Sequence, residues 1–109
     1  MKQFRNYNFD FDKNERKILT NFAKQVLKQL GGDNKYFAEE RAYNSILEKL
    51  GSAETIKLTK DEYYKLSMQL KENVKFLKPK AEKGFFLKRW LYKSVYLQYK
   101  NLIEKYFSD

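Results

Sequence analysis

DKNERKILTNFAKQVLKQLGG, residues 12–32, is the stretch that decides the fold class. Asp12 and Glu15 make the D-x-x-E start of a capping box. There, side-chain oxygens take up backbone N–H groups that the first helical turn leaves without partners. Behind it, Ile18, Leu19, Phe22, Ala23, Val26, Leu27 and Leu30 recur at spacings of one, three and four. That period places them on one face of a helix. Gly31-Gly32 then ends it, because glycine enters the left-handed conformation at little steric cost.

The same reading extends outward in both directions. A second helix starts at Asp33 or Asn34 and ends before Gly51. Its apolar face is Tyr36, Tyr43, Ile46, Leu47 and Leu50, with Phe37 and Ala42 flanking. The stretch around 54–58 is too short for a helix, and Ile56 and Leu58 alternate with Thr55 and Lys57, so an extended segment is expected. Thr59 and Glu62 repeat the capping-box spacing. Tyr63, Leu66, Leu70, Val74 and Leu77 follow on a third helix. Pro79 predicts its end near Lys78, since proline disfavours helix at the residue before it. Gly84 marks a break, and a fourth helix runs from about Phe85 to Phe107. Upstream, Tyr7, Phe9 and Phe11 alternate with Asn8 and Asp10, as in a strand or a strap of buried covers. The expected fold is mainly α: one helical bundle of about four helices over 13–109, with a short extended segment at 54–58 and an aromatic N-terminal arm over 1–12.

The chain has 109 residues and carries 23 Lys plus Arg against 14 Asp plus Glu, a net charge of +9. Nineteen of the basic residues are Lys, beside many Asn, Tyr and Phe, a mixture that an A/T-rich coding sequence also produces. The distribution is more telling than the total. Residues 1–54 hold ten basic and eight acidic side chains, whereas 55–109 hold thirteen and six. Lys75, Lys78, Lys80, Lys83, Lys88, Arg89 and Lys93 fall in one stretch, interleaved with Trp90 and Tyr92. Long cationic side chains suit phosphates, and aromatic faces suit bases. These seven are the candidate nucleic-acid contacts.

Several chemistries are excluded or unsupported. There is no Cys and no His, so no disulfide, thiolate or imidazole chemistry is available. Asp10, Asp12 and Asn14 open like a calcium loop, but Glu15 stands at the turn glycine and Asn21 at the twelfth position. No phosphate-binding glycine loop is present. Neither a catalytic site, a cofactor nor a metal is expected. The N-terminus lacks the apolar core of a secretory signal, and no uncharged run is long enough for a membrane span, so a cytoplasmic protein is expected.

The fourth helix has two apolar rows: Leu87, Leu91, Val95, Leu102 and Tyr106, and beside it Tyr92, Tyr96, Tyr99, Ile103 and Phe107, while Phe86 and Trp90 widen the first. Such a helix is either central or carries a partner face. Tyr92, Tyr96, Tyr99 and Ile103 are the candidate protein-contact residues, because Tyr joins an apolar body to a polar tip. Thr55-Ile56-Lys57-Leu58-Thr59, with Glu62 and Leu66 beyond, resembles the opening of the ribbon-helix-helix regulators. That resemblance implies a strand paired with its twin in a homodimer, with Thr55 and Lys57 facing bases. The third helix departs from that family by its length and by lacking a turn glycine. In size, composition and class the chain also resembles bacteriocin immunity proteins and phage-borne anti-defence proteins. The leading expectation is an accessory or regulatory module, of a mobile-element or phage type, that contacts nucleic acid or a nucleoprotein complex. The alternative is a protein-binding inhibitor of the anti-defence or immunity type acting through its aromatic helix face.

Overall fold

The capping box at Asp12 forms as expected: the Asp12 carboxylate accepts from the Glu15 N–H at 2.7 Å, and Glu15 accepts from the Asp12 N–H at 2.9 Å. Helix α1, Lys13–Leu30, follows it and closes on Gly31 at φ 64°. The computed structural model describes residues 7–52, 55–83 and 86–107, and the side chains of all of these except 82, 83 and 86–90. Within them, β1 (Asn8–Phe9), α1, a 3-10 turn (Asn34–Tyr36), α2 (Phe37–Ser52), β2 (Ile56–Lys57), α3 (Lys60–Lys83) and α4 (Phe86–Tyr106) follow in order. The fold is mainly α, with four helices and a two-stranded sheet. By contacts the chain groups into two compact units, Met1–Lys65 and Leu66–Asp109.

In the first unit α1 packs against α2. Arg16, near the start of α1, donates to the Leu50 carbonyl near the end of α2 at 2.8 Å, so the two helices run antiparallel. Leu19, Phe22, Ala23 and Val26 are buried on α1, and Ala42, Tyr43, Ile46 and Leu50 on α2. Fully burying side chains such as Phe22, Leu19 and Ile46 stabilises by about 1.5–3 kcal/mol each. Strands β1 and β2 pair antiparallel, Asn8 with Lys57 and Phe9 with Ile56. Ile56 and Leu58 point inward at 0% and 3% exposure, while Thr55 and Lys57 face out. Phe11 is buried, and Tyr7 and Phe9 are half-buried against Tyr63, with ring centroids 4.5 Å and 6.1 Å away.

Four features depart from the sequence reading. First, α2 runs through Gly51 to Ser52. Arg16 satisfies the Leu50 carbonyl and the Ser52 hydroxyl donates to the Glu48 carbonyl at 2.8 Å, so carbonyls of the last turn have partners without a glycine stop. Second, Tyr36 and Phe37 are exposed, not on the α2 face. Asp33 caps a 3-10 turn that holds Tyr36 outside α2, and Phe37, the first residue of α2, shares its side with exposed Arg41 and Asn44. Third, α3 continues through Pro79. Proline removes the hydrogen bond to the Lys75 carbonyl, but Lys75 is exposed and water can take that bond, while Leu77 and Ala81 are buried on either side. Fourth, β2 pairs with β1 of its own chain, where the ribbon-helix-helix pattern needs a twin strand. The expected break at Gly84 lies outside the described residues.

One buried ionic contact joins α2 to the start of α3. Glu62 closes the second capping box with Thr59 and accepts from the Lys49 ammonium at 2.6 Å. Burial pushes its carboxyl pKa up. Hydrogen bonds from Lys49, Ser45 and the Thr59 backbone, with the Lys49 charge, outweigh burial and hold it below the usual carboxylate range.

Candidate nucleic-acid interface

The register of α3 sets which side chains reach solvent. Leu66, Leu70, Leu77 and Ala81 are buried, and Val74 is half-buried between them. The positions rotated off that stripe, Lys75, Phe76 and Lys78, are exposed as a direct result. Leu102 on α4 and Phe107 just past its end are buried, and Lys93 and Lys100 of α4 face out. The Lys80 ammonium lies over the Phe76 ring at 4.6 Å to the centroid and 5.8 Å from the Tyr92 centroid, which brings α3 and α4 together at this point. Each such contact favours the cation by about 0.5–1 kcal/mol at an exposed site.

Of the seven expected nucleic-acid contacts, Lys75, Lys78 and Lys93 are exposed and Lys80 is half-buried. Lys83 ends α3, and Lys88 and Arg89 lie in the first turn of α4; their side chains, like that of Trp90, lie outside the described residues. Lys75 approaches Glu72 at 4.0 Å, with 80% and 65% of the two side chains exposed. A solvated pair at that distance is worth little and leaves the ammonium able to turn to another anion. Among the described residues, Lys78 and Lys93 form no ion pair.

The expected tyrosine contact row does not present one exposed face. Tyr92, Tyr96 and Ile103 are half-buried, but Tyr99 is only 8% exposed, and burial pushes its phenol pKa up. Tyr99 stands one turn before buried Leu102 and shares its side of the helix. Leu91 and Leu97 are exposed instead.

Sequence reasoning missed Phe76, which is 62% exposed, and Met68, which is 58% exposed. The signal was available for Phe76: it falls between Val74 and Leu77, off the spacing of the apolar stripe and among lysines. Among the described residues no group of three acidic, His or Cys side chains could hold a metal, and no helix is long and apolar enough to cross a membrane. No protein-family model matches the chain, and no curated protein or solved structure matches it significantly.

Proposed function

We propose that the chain is a small basic binding module whose unit Leu66–Asp109 contacts the phosphates of nucleic acid, free or within a nucleoprotein complex, in an accessory or regulatory role. The observation that carries this reading is the exposure of Lys75 and Lys78 on α3 and of Lys93 on α4, the two helices that Lys80 bridges, with Glu72 the only acid whose pairing with them is described, at 4.0 Å. Lysines that contact phosphates release condensed counterions, so affinity falls steeply with salt. A fluorescence-anisotropy titration of a labelled oligonucleotide, repeated between low and physiological salt, tests it. Replacing Lys75, Lys78 and Lys93 together by Ala lowers the salt slope by about 0.7–0.9 per lost contact. Salt-insensitive binding, or a triple variant that binds like the parent, overturns the reading. The chain lacks Cys, which fits a reducing compartment, so the cytoplasm is the proposed location.

A second reading, an inhibitor that docks on a protein through α4, is supported by Leu91 and Leu97, 55% and 43% exposed. It predicts that Leu91→Ala with Leu97→Ala abolishes pull-down of a partner while the thermal melt is unchanged. Self-association through β2 would show as a dimer by sedimentation; a monomer at tens of micromolar excludes it.

A further inference from the structure

We infer that the nucleic acid bound by this unit is single-stranded and that Phe76 is the platform on which one of its bases stacks; the inference rests on the reading above. Phe76 is the one aromatic among the strongly exposed large apolar side chains described in its unit, at 62%. An aromatic ring left in water forfeits the stabilisation that burial would give it, and nothing in the α3 register requires a ring at this position. On the helix surface its neighbours four residues away are Lys80, whose ammonium sits 4.6 Å from its centroid, and exposed Glu72, while Lys75 stands about 100° and Lys78 about 200° round the axis.

This arrangement suits a single strand better than a duplex. In a duplex the base faces are stacked on one another, and a protein meets only phosphates and base edges in the grooves. A phenyl ring on a helix surface has no edge-reading group and gains little there. A single strand offers its base faces, and every base has one, so an exposed ring with a lysine ammonium beside it binds it without regard to sequence. With Lys80 over one face of the ring, the base takes the remaining exposed surface. Lys80, also held near Tyr92 at 5.8 Å, then supplies the charge beside that base, and Lys75 and Lys78, further round the helix, meet phosphates farther along the strand.

The test compares the parent chain, Phe76→Leu, Phe76→Tyr, and Lys75→Ala with Lys78→Ala, on a labelled thymidine oligomer and on a duplex of equal length. Leucine keeps the apolar bulk and removes the π face. Phe76→Leu is expected to weaken the thymidine oligomer by about 5- to 150-fold, the loss of one stacked base, and to leave duplex binding unchanged. Phe76→Tyr restores the affinity. The paired lysine change weakens both ligands and reduces both salt slopes. If Phe76→Leu leaves the oligomer unaffected, or weakens oligomer and duplex alike, the inference falls. If the lysine pair still matters in that case, the phosphate reading survives alone. If the parent binds neither ligand in a salt-dependent way, the phosphate reading falls and takes the inference with it. Phe76 is exposed, so its variants should match the parent in circular dichroism melts.

Discussion

Replacing Glu62 by Gln isolates the charge at the junction of α2 and α3. The carboxylate has 8% side-chain exposure and accepts from Lys49 Nζ at 2.6 Å and from the Thr59 N–H at 2.9 Å. Glutamine is nearly isosteric and keeps an oxygen for the Thr59 N–H, so the helix cap survives. What is lost is the ionic half of the Lys49 contact. Hydrogen bonds to charged groups contribute about 1.5–3 kcal/mol. Lys49 is 32% exposed and can recover hydration when its partner loses its charge, so the loss belongs at the low end, about 1.5 kcal/mol. Urea denaturation near neutral pH measures it, and a double-mutant cycle with Lys49→Met assigns it to the pair. The pH dependence gives a second check. The folded-state pKa of Glu62 is lowered, so its contribution is present above the ordinary carboxylate value of about 4.3 and is lost as pH falls through the folded value. The parent should therefore lose stability in acid more steeply than Glu62→Gln. Equal stability at neutral pH, zero coupling to Lys49, or an unchanged acid limb in the variant would each refute the reasoning.

Other outcomes follow from single features. Gly31→Ala should cost about 1 kcal/mol in a denaturation experiment, because a Cβ at φ 64° meets no neighbour and the penalty is purely conformational; Gly31→Asn should recover part of it. An unaffected Ala variant would mean that the helix end readjusts freely. Tyr99→Ala should destabilise strongly, by about 3 kcal/mol, whereas half-buried Tyr96→Ala costs clearly less; equal losses would contradict the assignment of Tyr99 to the interior. The Tyr43 phenol donates to the Lys65 carbonyl at 3.1 Å, and burial pushes its pKa up. Its contribution is full below the ordinary value of about 10 and declines as pH rises beyond it, so Tyr43→Phe should flatten part of the alkaline stability loss seen in melts. An identical alkaline slope would discard that attribution.

Local signals carried most of the fold. The box at Asp12, the glycines at 31–32, the alternation at 55–58 and the box at Thr59 each depend on residues within four positions of one another, and each formed as read. The misreadings share a different cause. Gly51 looked like a stop because Arg16, far away in sequence, supplies the cap that keeps α2 going. Pro79 looked like a stop because the rule counts a lost hydrogen bond, not the exposure of the carbonyl that loses it. The basic stretch was legible as charge. Which lysines stand free in solvent was not, since that depends on the phase of α3 around its axis. Phe76 was overlooked because it was read as part of the basic stretch, although its place off the Val74–Leu77 stripe already put it on the outer side of α3.

The pairing of Phe9 with Ile56 closes a loop that contains all of α1 and α2. Two-residue strands cannot hold such a closure by themselves, because the entropy of bringing distant ends together outweighs the few ladder bonds gained. The ladder therefore forms only on a helical hairpin already in place, and it cannot outlast that hairpin when the unit opens. The Leu58 amide, which donates to the Tyr7 carbonyl at 2.9 Å, reports on that dependence. In native-state hydrogen exchange its opening free energy should not exceed that of the slowest amides of α1, and a higher value would contradict the dependence of the ladder on the hairpin.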